Sequence, residues 1–312
     1  MGWRPTMTLG TKLCAAVLCS VLAGSLGACK VSEDAIAASE QMSSTASALN
    51  DYYSALDAEV ASTIELYELD AAMSGIPYGD ADRKLQEATR AEIGKRKEMA
   101  ESLAKLAASM SALPRSTAAA DVQTSATKLG NDLVQLKALP GGSPIPDAIG
   151  KAGNSLLQII QQHEEKKAAR AMDETLKSVG DLFSAEKPVY DSMTRTHVRE
   201  ASQIAQDLIN ANAVDPNPML APALKPFGLA SLPPSAALQA SLKPVELKHL
   251  QDATDELIKK EEAASAAMLD ALREMSSRVH LLATEKPMPL RGAPFSLKLV
   301  EQWAQSWAAS LI

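Results

Sequence analysis

The chain's means for chemistry are four histidines, three cysteines and many carboxylates. The cysteines, Cys14, Cys19 and Cys29, all lie near the N-terminus. No thiol follows residue 29, so the long remainder has neither thiol catalysis nor an internal disulfide at its disposal. No Gly-x-Ser-x-Gly elbow offers an activated serine. Pro140-Gly141-Gly142-Ser143 precedes a helical stretch but lacks the lysine pattern of a phosphate loop. The histidines are His163, His197, His249 and His280. Two of them have a carboxylate three positions away, which on a helix puts both groups on one face. These pairs, His197 with Glu200 and Glu246 with His249, are the candidate metal ligands. Neither has an evident third ligand, so no metal centre and no cofactor is expected. His163 sits on an apolar stripe and reads as a core-edge histidine. Glu261 falls on an apolar stripe between Leu257 and Ala264, where a bare carboxylate is costly. It is expected to turn outward or meet a lysine, with contact to a bound ligand as the alternative.

Glu-x-x-His is the spacing that di-iron helical bundles use twice; here it occurs once. His197-Val198-Arg199-Glu200 has the His-x-x-Glu spacing of imelysin-like periplasmic proteins and resembles them over those four residues. The family's motif has a glycine two positions before the histidine, where this chain has Arg195. That resemblance implies a helical, often lipid-anchored bundle that binds a ligand or metal near His197 and Glu200.

The elements that would position these groups are all helical. The composition is rich in Ala, Leu, Ser, Glu and Lys and only 4% aromatic, and no stretch alternates as a strand would. Apolar residues recur at spacings of three and four over 33–74, 80–113 and 116–139. Another helix begins at Asp147, and Pro188 either kinks it or opens a further helix that runs to about 213. Residues 214–244 hold seven of the 17 prolines, yet carry few charges and many leucines. They read as a Pro-rich apolar connector packed over the bundle rather than a solvated tether. Two C-terminal helices, 245–283 and about 296–311, complete the bundle; the last carries Trp303 and Trp307 and is expected to dock on it. The expected fold is all-α: an elongated bundle of six or seven helices, several of them long. The expected division is a segment 1–28, an anchor 29–32, a bundle 33–213, the connector 214–244 and C-terminal helices 245–312.

The N-terminal segment sets the address. Arg4 and Lys12 precede an uncharged run, 13–28, too short to span a bilayer comfortably and shaped like a cleavable export signal. Leu26-Gly27-Ala28-Cys29 resembles the lipobox of bacterial lipoproteins. The resemblance implies that the thiol of Cys29 is diacylated (palmitate being a usual chain), the signal is cut before it, and the new amine is acylated. Two or three chains anchor firmly where one does not. Lys30, rather than Asp, at the next position implies sorting to the outer membrane, facing the periplasm. Removing Arg4 and Lys12 takes the basic residues from 31 to 29 against 38 acidic ones. So acidic a body is unsuited to nucleic acid, which rewards basic patches.

Without a catalytic constellation, the chain is expected not to be an enzyme. The expected function is that of a membrane-anchored scaffold, adaptor or inhibitor that meets a protein partner through helical faces. The alternatives are a ligand- or metal-binding bundle, and a helical pore-forming protein. The lipobox reading has a direct check. Wild-type protein is expected in the membrane fraction with the mass of an acylated Cys29 terminus, and Cys29→Ser is expected unacylated and with residues 1–28 still attached. Membrane attachment of the serine variant equal to that of the wild type would refute it.

Overall fold

Helix formers dominate this chain, and Pro and Gly cluster at a few places, so long helices with abrupt ends are what local preference favours. The computed structural model describes residues 30–111, 118–162, 165–215, 225–227, 236–283 and 297–308. Among these it is all-α, with seven α-helices and no strand. They are α1 (Lys30–Ser74), α2 (Asp80–Ser111), α3 (Ala118–Gln135), α4 (Asp147–Gln162), α5 (Glu165–Asn210), α6 (Ala236–Ala283) and α7 (Lys298–Ala308), with a single 3₁₀ turn at Lys225–Phe227. Cys29, residues 1–28 and His163 lie outside the described residues.

Helix ends follow ordinary capping chemistry. Gly75 takes φ of 72° and returns its N–H to the Ala71 carbonyl, closing α1 in the left-handed conformation that glycine adopts without penalty. Asp80 and Asp82 stand in the first turn of α2, where a negative charge meets the positive end of the helix dipole. Asn212, at φ 54°, ends α5 in the same left-handed manner.

Consecutive helices pack as neighbours: α1 on α2, α2 on α3, α3 on α4, α4 on α5 and α5 on α6. Helix α1 also contacts α5, α6 and α7, so it lies at the centre of the bundle. Adjacent Tyr52 and Tyr53 are both fully buried, which only a helix covered on two sides can achieve. Around them lie Phe183 and Tyr190 of α5 and Trp303 of α7. Tyr52 sits edge-on to Phe183 with ring centres 5.2 Å apart and lies 4.8 Å from the Trp303 ring. Such pairs are worth about 0.5–1.5 kcal/mol beyond the area they bury. Trp303 is therefore docked on the bundle, as expected of the last helix.

Helices α3 and α4 meet through glycine. A Cβ on Gly153 would stand 2.8 Å from the Gly130 carbonyl oxygen, and one on Gly130 would stand 3.1 Å from that of Gly153. The two backbones touch, which no other residue type permits.

Four boundaries differ from the sequence expectation. The first helix begins at Lys30, so no spacer of 30–32 precedes it. The helix from Asp147 does not continue to Pro188: α4 stops at Gln162 and the chain reverses, which brings Ser178 of α5 against the Ala148 carbonyl. No Gly or Pro marks that reversal; folding the two apolar stripes onto each other decides it. Pro188 lies inside a continuous α5, and Pro244 inside α6, which starts at Ala236 rather than 245. The connector is shorter than expected because Ala, Leu, Gln and Ser at 236–241 favour helix strongly enough to carry one proline.

The arrangement gives Trp303 a structural role that truncation tests cruelly. Trp303→Ala is expected to cost roughly 3–5 kcal/mol, as for other large buried side chains, measured by urea denaturation. A loss near zero would mean that α7 does not hold the bundle together.

Candidate functional site

The interior of this bundle is unusually polar where α1, α5 and α6 meet. Glu59, Thr63, Glu186, Thr194, His197 and Glu261 are all buried there, and Arg96 joins them from α2. The spacing explains the alignment. Tyr52, Leu56, Glu59 and Thr63 follow one another by four, three and four positions on α1. Glu186, Tyr190, Thr194 and His197 follow by four, four and three on α5.

Glu186 is paired. The Arg96 guanidinium donates through Nε to Oε2 at 2.8 Å and through Nη2 to Oε1, and the Tyr190 hydroxyl also donates to Oε2. Arg96 spends its other hydrogens on the carbonyls of Glu92 and Lys137, both at 2.9 Å. The guanidinium therefore ties α2, the chain leaving α3, and α5 into one network. Removing one partner of such a pair leaves a buried bare charge, which is costly.

Glu261 has no cation of its own. It faces inward, contrary to expectation, and accepts a hydrogen bond from the Tyr52 hydroxyl at 3.1 Å. Burial, and then the neighbouring Asp191 carboxyl, push its pKa up to about 8. The reason for the inward turn is that a protonated carboxyl is a modest polar group, not a charge, and a phenol and a second acid suffice to satisfy it.

Glu59 is the more exposed to chemical consequence. Its Oε2 accepts from the Thr194 hydroxyl at 2.7 Å, while its Oε1 has no hydrogen-bond partner among the described residues. Burial raises its pKa to about 8. Next to it, the Thr63 hydroxyl donates to the Glu59 carbonyl at 3.0 Å and lies 2.6 Å from His197 Nδ1. With its one hydrogen so used, Thr63 accepts from Nδ1–H, which assigns the tautomer. Burial lowers the His197 pKa to about 4, so the ring is neutral.

These groups open onto a cleft of about 360 Å³ between α1 and α5, with Gln86 of α2 and the Gly141 turn at its rim. Glu59, Thr63, Tyr67, His197 and Glu200 line it beside Val60, Val189 and Met193. Tyr67 is pushed above its ordinary pKa by partial burial and by its hydrogen bond to Glu200. Thus His197 and Glu200 do share one cavity. Glu246 is buried whereas His249 is exposed, and neither lines this cleft. His280 lies apart, with Nδ1 2.7 Å from Asp173. Among the described residues no three His, Cys, Asp or Glu side chains are grouped to hold a metal ion. Glu59, Thr63, Tyr67 and Thr194 were not singled out from the sequence. The signal was present as polar residues in phase with an apolar stripe.

No family model, curated protein or solved structure matches this chain. Its own geometry defines an all-α helical bundle with a polar interior seam that ends in a cleft.

The seam gives stability a definite pH dependence. In the unfolded chain Glu59 ionises near 4.5, whereas the folded protein keeps its proton to about 8. The folded state thus binds more protons across that window, and stability falls as pH rises through it. His197 acts oppositely and at lower pH: the unfolded ring charges below about 6.5 and the folded one only near 4, so acidification through that range destabilises. Above pH 6.5 the His197 contribution is essentially complete, while those of Glu59 and Glu261 continue to about 8. Urea denaturation is expected to show stability declining over that interval, with Glu59→Gln flattening the decline. An unaltered slope in Glu59→Gln would show that Glu59 is already ionised in the folded protein.

Proposed function

We propose that this protein is a lipid-anchored scaffold or adaptor of the bacterial outer membrane, periplasm-facing and non-enzymatic, which meets a protein partner at the tip of the α1–α2 hairpin. The observation that carries this reading is where the apolar side chains fail to be buried. Along most of α1 the large apolar residues are covered. At its end they are not: Leu69 and Met73 are 43% and 46% exposed, Ile76 in the turn is 71% exposed, and Leu85 at the start of α2 is 51% exposed. Clustered exposure of this kind marks contact surfaces more often than chance.

Position supports the same reading. Helix α1 has 45 residues and begins directly after Cys29. At about 1.5 Å per residue its far end stands about 65 Å from the acylated terminus. A partner on the hairpin tip would then be held at a fixed height above the membrane. Charge narrows the partner's chemistry. Glu65, Glu68, Asp70, Asp80 and Asp82 surround the tip, against Arg83 and Lys84. The complement is an amphipathic segment with basic flanks, since opposite potentials steer encounter and fix register. No helix among the described residues is long and apolar enough to cross a membrane, so nothing favours a pore-forming role over this one.

A photocrosslinker at position 76, in cells carrying the anchored protein, tests the proposal. A discrete crosslinked species is expected. It is expected to weaken at least tenfold when Leu69 and Leu85 are changed to Asp, with thermal stability little changed, because exposed sites away from special features contribute within about 0.5 kcal/mol. Equal crosslinking by the Asp variant would refute the tip as the contact.

A further inference from the structure

The cleft between α1 and α5 carries a second function that a scaffold does not require. We propose that it binds a small organic cation, an alkylammonium group whose charge is taken by Glu59 and Glu200 and whose methylenes lie on Val60, Val189 and Met193. This inference goes beyond the scaffold reading and stands or falls without it.

Four observations point to that class. First, Glu59 is 1% exposed and lines the cleft with an Oε1 that has no partner among the described residues. A buried polar atom left in this state is costly to the fold, and a ligand group that pairs with it recovers that cost. Second, no basic group lines it: the ionisable groups there are carboxyls, a phenol and the neutral His197 ring. Helix α5 brings the Glu200 carboxylate and the neutral His197, α6 brings Glu261 behind Glu59, and α1 itself brings the Tyr67 phenol. Helix α2 contributes the uncharged Gln86, and none of the lining residues is Lys or Arg. Such walls repel an anion and attract a cation. Third, the described residues hold no trio of His, Cys, Asp or Glu placed for a metal ion. Fourth, about 360 Å³ lies within the range of small-molecule sites, and Val60, Val189 and Met193 give it apolar lining. An ammonium on a short alkyl stem satisfies all four; a bare ion leaves the apolar lining unused.

Binding is linked to protons in a way that identifies the residue. At neutral pH the Glu59 carboxyl retains its proton. An arriving ammonium favours the carboxylate, so the Glu59 proton leaves to solvent as the ion pair forms. No bond to the ligand is made or broken. Affinity then rises with pH toward about 8, the point at which Glu59 ionises without help.

Isothermal titration of the full chain with 1-aminobutane tests this, with 1-butanol, butyrate and zinc ion as comparison probes. Saturable binding of 1-aminobutane is expected, roughly fiftyfold tighter at pH 8 than at pH 6, with proton release detected by repeating the titration in buffers of different ionisation heat. Glu59→Gln is expected to lose at least tenfold in affinity together with the pH dependence. Glu200→Gln is expected to weaken binding but keep the pH dependence, so the assignment survives even if Glu59→Gln folds poorly. The proposal is overturned by any of four results: no binding of the amine at millimolar concentration, equal binding of 1-butanol, wild-type behaviour of Glu59→Gln, or binding of zinc ion in place of the amine.

Discussion

The constraint that governs this structure is the cost of a buried carboxylate. Glu59, Glu186 and Glu261 all lie within the bundle, and each is made tolerable in a different way. Glu186 is paired with the Arg96 guanidinium, which follows it into the interior and also donates to backbone carbonyls. Glu261 keeps its proton and takes a phenol as donor. Glu59 keeps its proton and takes one hydroxyl, leaving an oxygen over. The helices can close on one another only if these three solutions hold together, because an ion pair at Glu186 needs α2 in place and the phenol at Glu261 needs α1 in place.

Helix α1 is the element through which that constraint spreads. It touches four other helices, and its two adjacent tyrosines present rings in directions that differ by about a third of a turn. One consequence is the aromatic cluster with Phe183, Tyr190 and Trp303, which concentrates much of an aromatic-poor chain at one point. Another is the contrast along the helix: covered apolar side chains in the middle and exposed ones at the end. Elsewhere the bundle relies on a cheaper device, the glycine pair of α3 and α4, where removing side chains lets backbones meet.

How much of the site was legible depends on which residue is asked about. His197 and Glu200 were marked by their spacing alone, and they do share the cleft, since three positions on a helix is a geometric fact that tertiary structure cannot undo. Glu246 and His249 have the same spacing but different surroundings, one buried and one exposed, because spacing says nothing about what a face meets. Glu261 was conspicuous on its stripe, but its fate was misread: the sequence does not display Tyr52, 209 positions away, as its hydrogen-bond donor. Glu59 does not stand out in the sequence, because Leu56 and Val60 beside it carry the apolar stripe.

By itself the sequence determined the fold class, most helix ends and the apolar faces, because helix propensity, capping residues and a period of 3.6 are local properties. The motif on which the proposed anchoring rests, Leu26-Gly27-Ala28-Cys29, is likewise local, a short run of sequence and not a fold. Tertiary structure alone decided where the chain reverses between α4 and α5, which prolines the long helices absorb, and which carboxyls lose their charge. Those outcomes depend on groups far apart in the chain entering one low-dielectric space, and no local pattern records that meeting. The proposed anchoring rests on the local Leu26–Cys29 motif alone; the buried seam from Glu186 to His197 sets what the interior can do.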